Sequence, residues 1–204
     1  MNITQPTIFI VDDDPAMRDS LSWLIETIGY PVKVFASAQE FLDGYQHHEP
    51  GCLILDVRLP GMSGIQLQQR MKIENITLPV IIISGHGDVP MAVKAMQQGA
   101  IVFLEKPFRD QELLDNIQEA LEIDATNRKK EEASKEVLSC VESLTQREKE
   151  VMELMVKGNP SKEIAKQCGI SVKTIEIHRA RVMDKMQANS LPELVHMVLS
   201  LRVS

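Results

Sequence analysis

Carboxylates, a hydroxyl and a lysine recur in this sequence at the ends of short apolar runs. Asp12, Asp13 and Asp14 follow one run, Asp56 closes a second, Ser84 a third, and Lys106-Pro107 follows a fourth. Clustered carboxylates repel unless a cation neutralises them, and Mg²⁺ takes about six oxygen ligands, several of them water. A carboxylate neutralised in this way can attack an electrophilic phosphorus and become an acyl phosphate. Lys106 would counter the phosphoryl charge, and the Ser84 hydroxyl could donate to one of its oxygens. The chemistry in view is phosphoryl transfer to an aspartate.

Each residue alone has a plainer reading. Asp14, before Pro15, reads as the N-cap of a helix. Asp12 or Asp13 alone could be a turn acid, Asp56 a capping residue, and Lys106 a surface lysine. Their joint occurrence at successive strand ends carries the functional reading. No GxGxxG follows the first run and no P-loop is present, which disfavours a dinucleotide or nucleoside triphosphate site.

The elements that must position these groups are legible from periodicity. Thr7–Val11 and residues 32–35, 52–55, 80–83 and 101–104 read as strands, with helical patterns between them. The clearest helix carries Met17, Leu21, Leu24, Ile25 and Ile28 on one face. Strands alternating with helices imply a doubly wound parallel sheet, in which polar residues past the strand C-termini converge in one crevice. From residue 123 to 142 the text turns charged and lacks Gly and Pro, so a helical, solvated connector is expected. Thr145-Gln-Arg-Glu148 has capping-box spacing. Helices are expected at about 145–157, 160–168, 172–186 and 191–201, with Asn159-Pro160 capping the second and 169–171 as a short turn before the third. Helix, turn, helix at 160–186 is the arrangement that places its second helix in a DNA major groove.

At this point the motifs become specific. IFIVDDD (8–14), LILDVRLPGMSG (53–64), SGHGDVPMAV (84–93) and FLEKPF (103–108) resemble the receiver domain of two-component response regulators, the last two the FixJ-type branch. The resemblance implies a flavodoxin-like five-stranded α/β domain with Asp56 as phospho-acceptor for a histidine of a sensor histidine kinase. It implies Mg²⁺ held by Asp12, Asp13, the Asp56 carboxylate and the Arg58 backbone carbonyl. Ser84 falls where the family has a hydroxyl that follows the phosphoryl group, and Lys106 where it has its pocket lysine. Phe103 falls at the switch aromatic; without a hydroxyl its inward state needs no buried hydrogen bond, and it reads equally as strand core. A cis Lys106-Pro107 peptide is also implied, although sequence alone does not show one. Residues 143–202 resemble the LuxR-type DNA-binding domain through LTQREKEVMELMVKGNPSKEIAKQCGISVKTIEIHRARVMDKM.

A wheel of the third helix, with Ile175 as the core direction, puts Val182 and Met186 within about 20° of it and Val172 within about 60°. Lys173, Ile177, Ala180 and Asp184 point away, with Thr174, Glu176 and Arg181 on the flanks. Ile177 could pack on a thymine methyl, Lys173 or Arg181 reach guanine or phosphate, and Glu176 accept from cytosine. Arg179 and Lys185, nearer the core, read as phosphate-positioning contacts with packed stems, and His178 as a partly buried structural residue. Met62, Met71, Met91 and Met96 read as packing residues, and His47-His48 has no evident metal partner.

The expected organisation is a receiver at 1–122, a charged helical linker at 123–142 and an all-α four-helix DNA-binding domain at 143–204. The expected function is a transcription factor, dimeric when phosphorylated, with promoter DNA, a sensor kinase and RNA polymerase as partners. Two other classes fit part of the pattern: a phosphorelay or scaffold whose helical domain binds protein, and an aspartyl-nucleophile phosphotransferase. Arg58, where a haloacid-dehalogenase-like phosphatase would need a second Asp, counts against the latter. The expected protein therefore catalyses only its own phosphorylation and dephosphorylation.

The 204 residues are 44% apolar and 25% charged, which excludes wholesale disorder. The net charge of −7 would argue against a nucleic-acid binder, but it divides: residues 1–124 hold 8 basic and 18 acidic side chains, residues 125–204 hold 14 and 11. The acid belongs to the metal and phosphate domain. Three dispersed cysteines, no export-type N-terminus over residues 1–6 and no long apolar run lead to the expectation of a cytoplasmic protein with no membrane partner.

Overall fold

The computed structural model describes residues 5–46, 48–85 and 89–203. Residues 1–4, His47 and His86-Gly87-Asp88 of the third motif lie outside the described residues. Tertiary contacts divide the chain into two units, Met1–Asn127 and Arg128–Ser204.

In the first unit the chain runs β1 (Thr7–Val11), α1 (Pro15–Thr27), β2 (Val32–Phe35), α2 (Ala38–Gly44), β3 (Gly51–Asp56), α3 (Gly64–Ile73), β4 (Val80–Ser84), α4 (Val89–Gln97), β5 (Val102–Glu105) and into α5 (Asp110–Glu142). All strand pairs are parallel, in the order β2-β1-β3-β4-β5. The order reverses between β1 and β3, so the crevice for ligands lies above their C-terminal ends. β3 and β4 reach further than the periodicity suggested, making Asp56 and Ser84 the last strand residues rather than the first loop residues.

Alternation along the strands builds a core on each face of the sheet. Phe9, Val11, Leu53, Leu55 and Ile82 pack with Phe41 of α2, Leu67 of α3 and Ala95 of α4. Ile8, Ile10, Ile54, Ile81 and Ile83 pack with Leu21 and Ile25 of α1 and Leu113 and Ile117 of α5. At the other end of the sheet the buried Asp124 of α5 accepts a hydrogen bond from Gly51 N at 3.0 Å. A Cβ at residue 51 would lie 1.8 Å from Thr7 O, so glycine is required for this close strand start. Asp124 belongs to the first unit, two residues beyond 122, and α5 continues unbroken through the charged segment to Glu142.

The second unit contains the end of α5, then α6 (Gln146–Val156), α7 (Ser161–Cys168), α8 (Val172–Lys185) and α9 (Leu191–Val203). Its core joins Leu144, Val151 and Met155 to Ile164, Ile175, Val182, Met186 and Leu194, with Val137 and Val141 of α5 packed against them. The Thr145–Glu148 capping box forms, with Glu148 N donating to Thr145 Oγ1 and Thr145 N to Glu148 Oε2. The α7 start differs from expectation: Pro160 itself occupies the N-cap without a side-chain hydrogen bond, and Asn159 precedes the helix. Proline fits there because its fixed φ also suits the extended cap conformation. Met71 is buried and Met62 and Met91 are partly buried, but Met96 is exposed, so it does not pack as expected. Among the described residues no helix is long and apolar enough to cross a membrane.

Candidate functional site

The strand ends bring two of the predicted carboxylates of the first unit, Asp12 and Asp56, together around one ammonium. Lys106 Nζ donates to Asp12 Oδ2 at 2.7 Å and to Asp56 Oδ1 at 2.9 Å. Asp12 and Asp56 are buried at the ends of β1 and β3, where the strand order reverses. Burial pulls the Lys106 pKa down, but the hydrogen bonds and charges of the two carboxylates more than offset this and raise it above its ordinary 10.5. The remaining oxygens are also held: Asp14 N donates to Asp12 Oδ1 at 2.9 Å, and Arg58 N to Asp56 Oδ2 at 2.5 Å. Asp14 caps α1 through Ala16 N at 2.9 Å, as its place before Pro15 predicted.

Asp13 is exposed at the same edge, beside a cleft of about 880 Å³ that it lines with Arg58, Pro60, Met91 and Lys94. Ser84 is fully buried at the end of β4, its carbonyl accepting from Lys106 N at 2.8 Å. The Lys106-Pro107 peptide is cis. Phe103, on β5 opposite Ile82, is half-buried against the core face of α2, α3 and α4.

Two supporting residues escaped the sequence reading. Arg18 Nη1 donates to the Asp12 carbonyl at 2.7 Å, one helical turn after the acid run. Gly64 opens α3 directly on the Asp56 backbone, where a Cβ would lie 2.3 Å from the Asp56 carbonyl oxygen. The glycine of the quoted LILDVRLPGMSG stretch was a signal for this close approach.

The donors at this edge are carboxylate and carbonyl oxygens, the hard ligands that suit Mg²⁺. Among the described residues no three acidic, histidine or cysteine side chains already converge as a metal cage. Two of the three carboxylates instead share Lys106.

In the second unit α7 and α8 are joined by 169–171, with Gly169 at φ 66° and Ser171 capping α8 through Thr174 N at 3.1 Å. Ile175, Val182 and Met186 are buried, as the wheel places them. Val172 is not: it is 44% exposed, because the first helical turn projects beyond the core. Lys173, Glu176, Ile177, Ala180, Arg181 and Asp184 are exposed on α8, with Ile177 at 47%. Thr174 and Arg179 are half-buried, and Thr174 Oγ1 lies 2.8 Å from Ser171 Oγ. His178 is half-buried, with Nδ1 enclosed and lacking a partner among the described residues.

Lys185 has a tie inside the domain. Its Nζ donates to Glu148 Oε2 at 2.7 Å and to Ser143 O at 3.1 Å. The Lys185 ammonium, with the Thr145 N–H, holds the buried Glu148 carboxyl down to about 2. Its stem packs as expected, but its charge is directed at Glu148.

Sequence comparison agrees with this architecture. The family model of the response regulator receiver domain matches residues 8–118, and that of the luxR family of bacterial regulatory proteins matches residues 142–198. The chain belongs to the response regulators, as a phosphorylation-controlled transcription factor with a LuxR-type DNA-binding domain. It is 46% identical over 196 residues to the transcriptional regulatory protein FixJ of Bradyrhizobium diazoefficiens, covering 96% of each chain. It is 42% identical to the response regulator protein TodT of Pseudomonas putida, over 97% of this chain and 87% of that one. Among solved structures it matches the response regulator StyR with a TM-score of 0.84 and 42% identity, over 96% of this chain and 98% of StyR. Full-length FixJ from B. japonicum matches at 0.60 and 45%, over 98% of this chain and 99% of that one.

Proposed function

We propose that Asp56 is the phospho-acceptor and that Lys106 and Ser84 manage the charge of the phosphoryl group. The carrying observation is the bridge of one ammonium between Asp12 and Asp56 at the strand-order reversal. An Asp56 oxygen attacks the phosphorus of a phosphohistidine on a sensor kinase; the P–O bond forms as the P–N bond breaks, and the imidazole leaves with the bonding pair. Lys106 shifts from the carboxylates to a phosphoryl oxygen, and the Ser84 hydroxyl donates to another. Mg²⁺ would be held by Asp12, Asp13, Asp56 and the Arg58 carbonyl, supplying countercharge to the incoming phosphoryl oxygens. The same groups serve self-dephosphorylation, and no external substrate is turned over.

Phosphorylation need favour the active state by only a few kcal/mol to shift the population. The switch pair is Ser84 and Phe103. The adjacent α4 exposes Val89, Val93 and Met96, an apolar face that a second copy would cover in a phosphorylated homodimer. We assign phosphoryl chemistry to the receiver, expected at 1–122 and extended by the Asp124–Gly51 bond to a unit ending at Asn127, and promoter binding to 143–204. Lys173, Glu176, Ile177 and Arg181 read bases or phosphate, and Thr174 and Arg179 support them from the groove edge, while Lys185 stays with Glu148. A transcription factor of this kind works in the cytoplasm with RNA polymerase, and the free thiols Cys52, Cys140 and Cys168 suit a reducing compartment.

The test is labelling of the full chain by acetyl phosphate with Mg²⁺, read by intact mass. Wild type should gain one phosphoryl group and Asp56→Asn none. Labelling of Asp56→Asn at the wild-type rate would overturn the assignment.

A further inference from the structure

Arg147 lies in the first turn of α6 and reaches a partner 21 positions away: its Nη2 donates to the backbone carbonyl of Cys168, the last residue of α7. Its Nη1 donates to Glu150 Oε2 at 2.7 Å, so the guanidinium fork is steadied by its own helix while it grips another. The carbonyls of a helix's last turn lack intrahelical partners and form its negative pole, which suits a cation. In α7 the Ala165 carbonyl accepts from Gly169 N and, at 3.2 Å, from Ile170 N. The Cys168 carbonyl goes to Arg147.

That carbonyl belongs to the peptide plane between Cys168 and Gly169, where the backbone turns left-handed at φ 66° and leaves α7 for the turn into α8. Holding the plane holds the direction in which α8 starts. Core packing supplies little there. Val172 is exposed, as are Lys173, Glu176 and Ile177, and of residues 172–177 only Ile175 is buried. The far end of α8 is tied separately, by Lys185 on Glu148 and the Ser143 carbonyl. Adjacent residues of α6, 147 and 148, therefore hold the chain just before α8 and at its end.

We propose, on the base reading assigned to α8, that Arg147 is a positioning residue for DNA recognition. It touches no DNA; through the Cys168 carbonyl it sets the angle at which the first turns of α8 meet the groove. Hydrogen bonds to base edges demand that angle, whereas attraction to phosphate tolerates a range of poses. Loosening the turn therefore costs sequence-specific affinity and spares non-specific affinity.

The probes are a duplex that the full-length wild type selects from a random-sequence pool, with acetyl phosphate and Mg²⁺ present, and a random duplex of the same length. Arg147 is a third exposed, so folding tolerates Arg147→Gln, with a thermal melt as the check. This variant should bind the selected duplex about tenfold more weakly and the random duplex within about twofold of wild type. The salt dependence should keep its slope, since no phosphate contact is lost. Amide resonances of residues 169–174 should move in the free protein. Arg147→Lys keeps a cationic donor for the carbonyl and should recover the selected duplex to within about threefold of wild type. It carries the same comparison if Arg147→Gln does not fold. Equal weakening on both duplexes with a shallower salt slope would make Arg147 a phosphate contact and overturn the positioning role. Wild-type affinity in Arg147→Gln, or unmoved 169–174 resonances, would overturn it too. If the wild type selects no duplex, or Lys173→Ala and Arg181→Ala both keep wild-type affinity, the base reading of α8 falls and the positioning role with it, a failure separable from the others because Arg147 is intact.

Discussion

Each unit buries a carboxylate against a lysine, and the two pairings behave in opposite ways. In the receiver one ammonium faces two carboxylates at open strand ends, so two like charges share one counter-ion. In the helical unit one carboxylate, Glu148, receives Lys185 and the Thr145 N–H within a completed capping box. The first arrangement has surplus negative charge directed at an edge where a cation and a phosphoryl group can enter. The second is electrically closed and holds α6 to the end of α8. The same residue types make an open arrangement with two carboxylates in one place and a brace in the other, and what separates them is the count of charges and their access to solvent.

Exchanging the lysines gives the largest test of this contrast. Lys106→Ala should slow phosphoryl uptake from acetyl phosphate by about 10²-fold, the scale of losing one electrostatic stabiliser. Lys185→Ala should leave that rate unchanged while lowering the urea midpoint. Equal effects of the two on labelling would erase the distinction.

Glu148→Ala should destabilise the protein by about 2 kcal/mol in urea denaturation, below the 3–5 typical of a fully buried pair because Lys185 is a third exposed. Loss of less than about 0.5 kcal/mol would make the pair ornamental. The pH dependence carries opposite signs in the two units. Glu148 is held at about 2 against an ordinary 4.5, so its contribution is present above pH 4.5 and disappears as the pH falls towards 2. Lys106 is raised above 10.5, so its contribution is present below that pH and disappears as the pH climbs past the raised value. Glu148→Gln should flatten the acid limb of a thermal-stability profile, and Lys106→Met the alkaline limb.

The smallest expected effect lies on the exposed face of α8. Ile177→Ala should cost about 1 kcal/mol of specific promoter affinity and under 0.5 kcal/mol of stability, read by binding isotherms and thermal melts. A stability loss above about 2 kcal/mol would return Ile177 to the core.

Much of this was legible because local signals and chemistry coincided. Asp14 before Pro15, the Thr145–Glu148 box and the apolar runs of β1 to β5 depend on neighbours a few residues away, and the structure places them as the spacing implies. Asp12, Asp56, Ser84 and Lys106 were found together because a doubly wound sheet sends every strand C-terminus to one edge. Other features had no local signal. Lys185 meets Glu148 across 37 positions, and Gly51 meets Asp124 across 73. Val172 and Met96 carry apolar side chains at spacings that suit a core, yet both are exposed, because where a helix ends relative to its neighbours is set by packing.

The α/β alternation, the grouping of carboxylates, hydroxyl and lysine at strand ends, the helix-turn-helix and the split of charge between the two halves are written in the order of the residues. Those follow from periodicity, capping and side-chain type, which act over a few residues. Tertiary packing alone brought one ammonium to both Asp12 and Asp56 and set Lys185 against Glu148. Such pairings depend on which distant surfaces meet, and burial in a common low-dielectric interior then fixes which charges must neutralise one another.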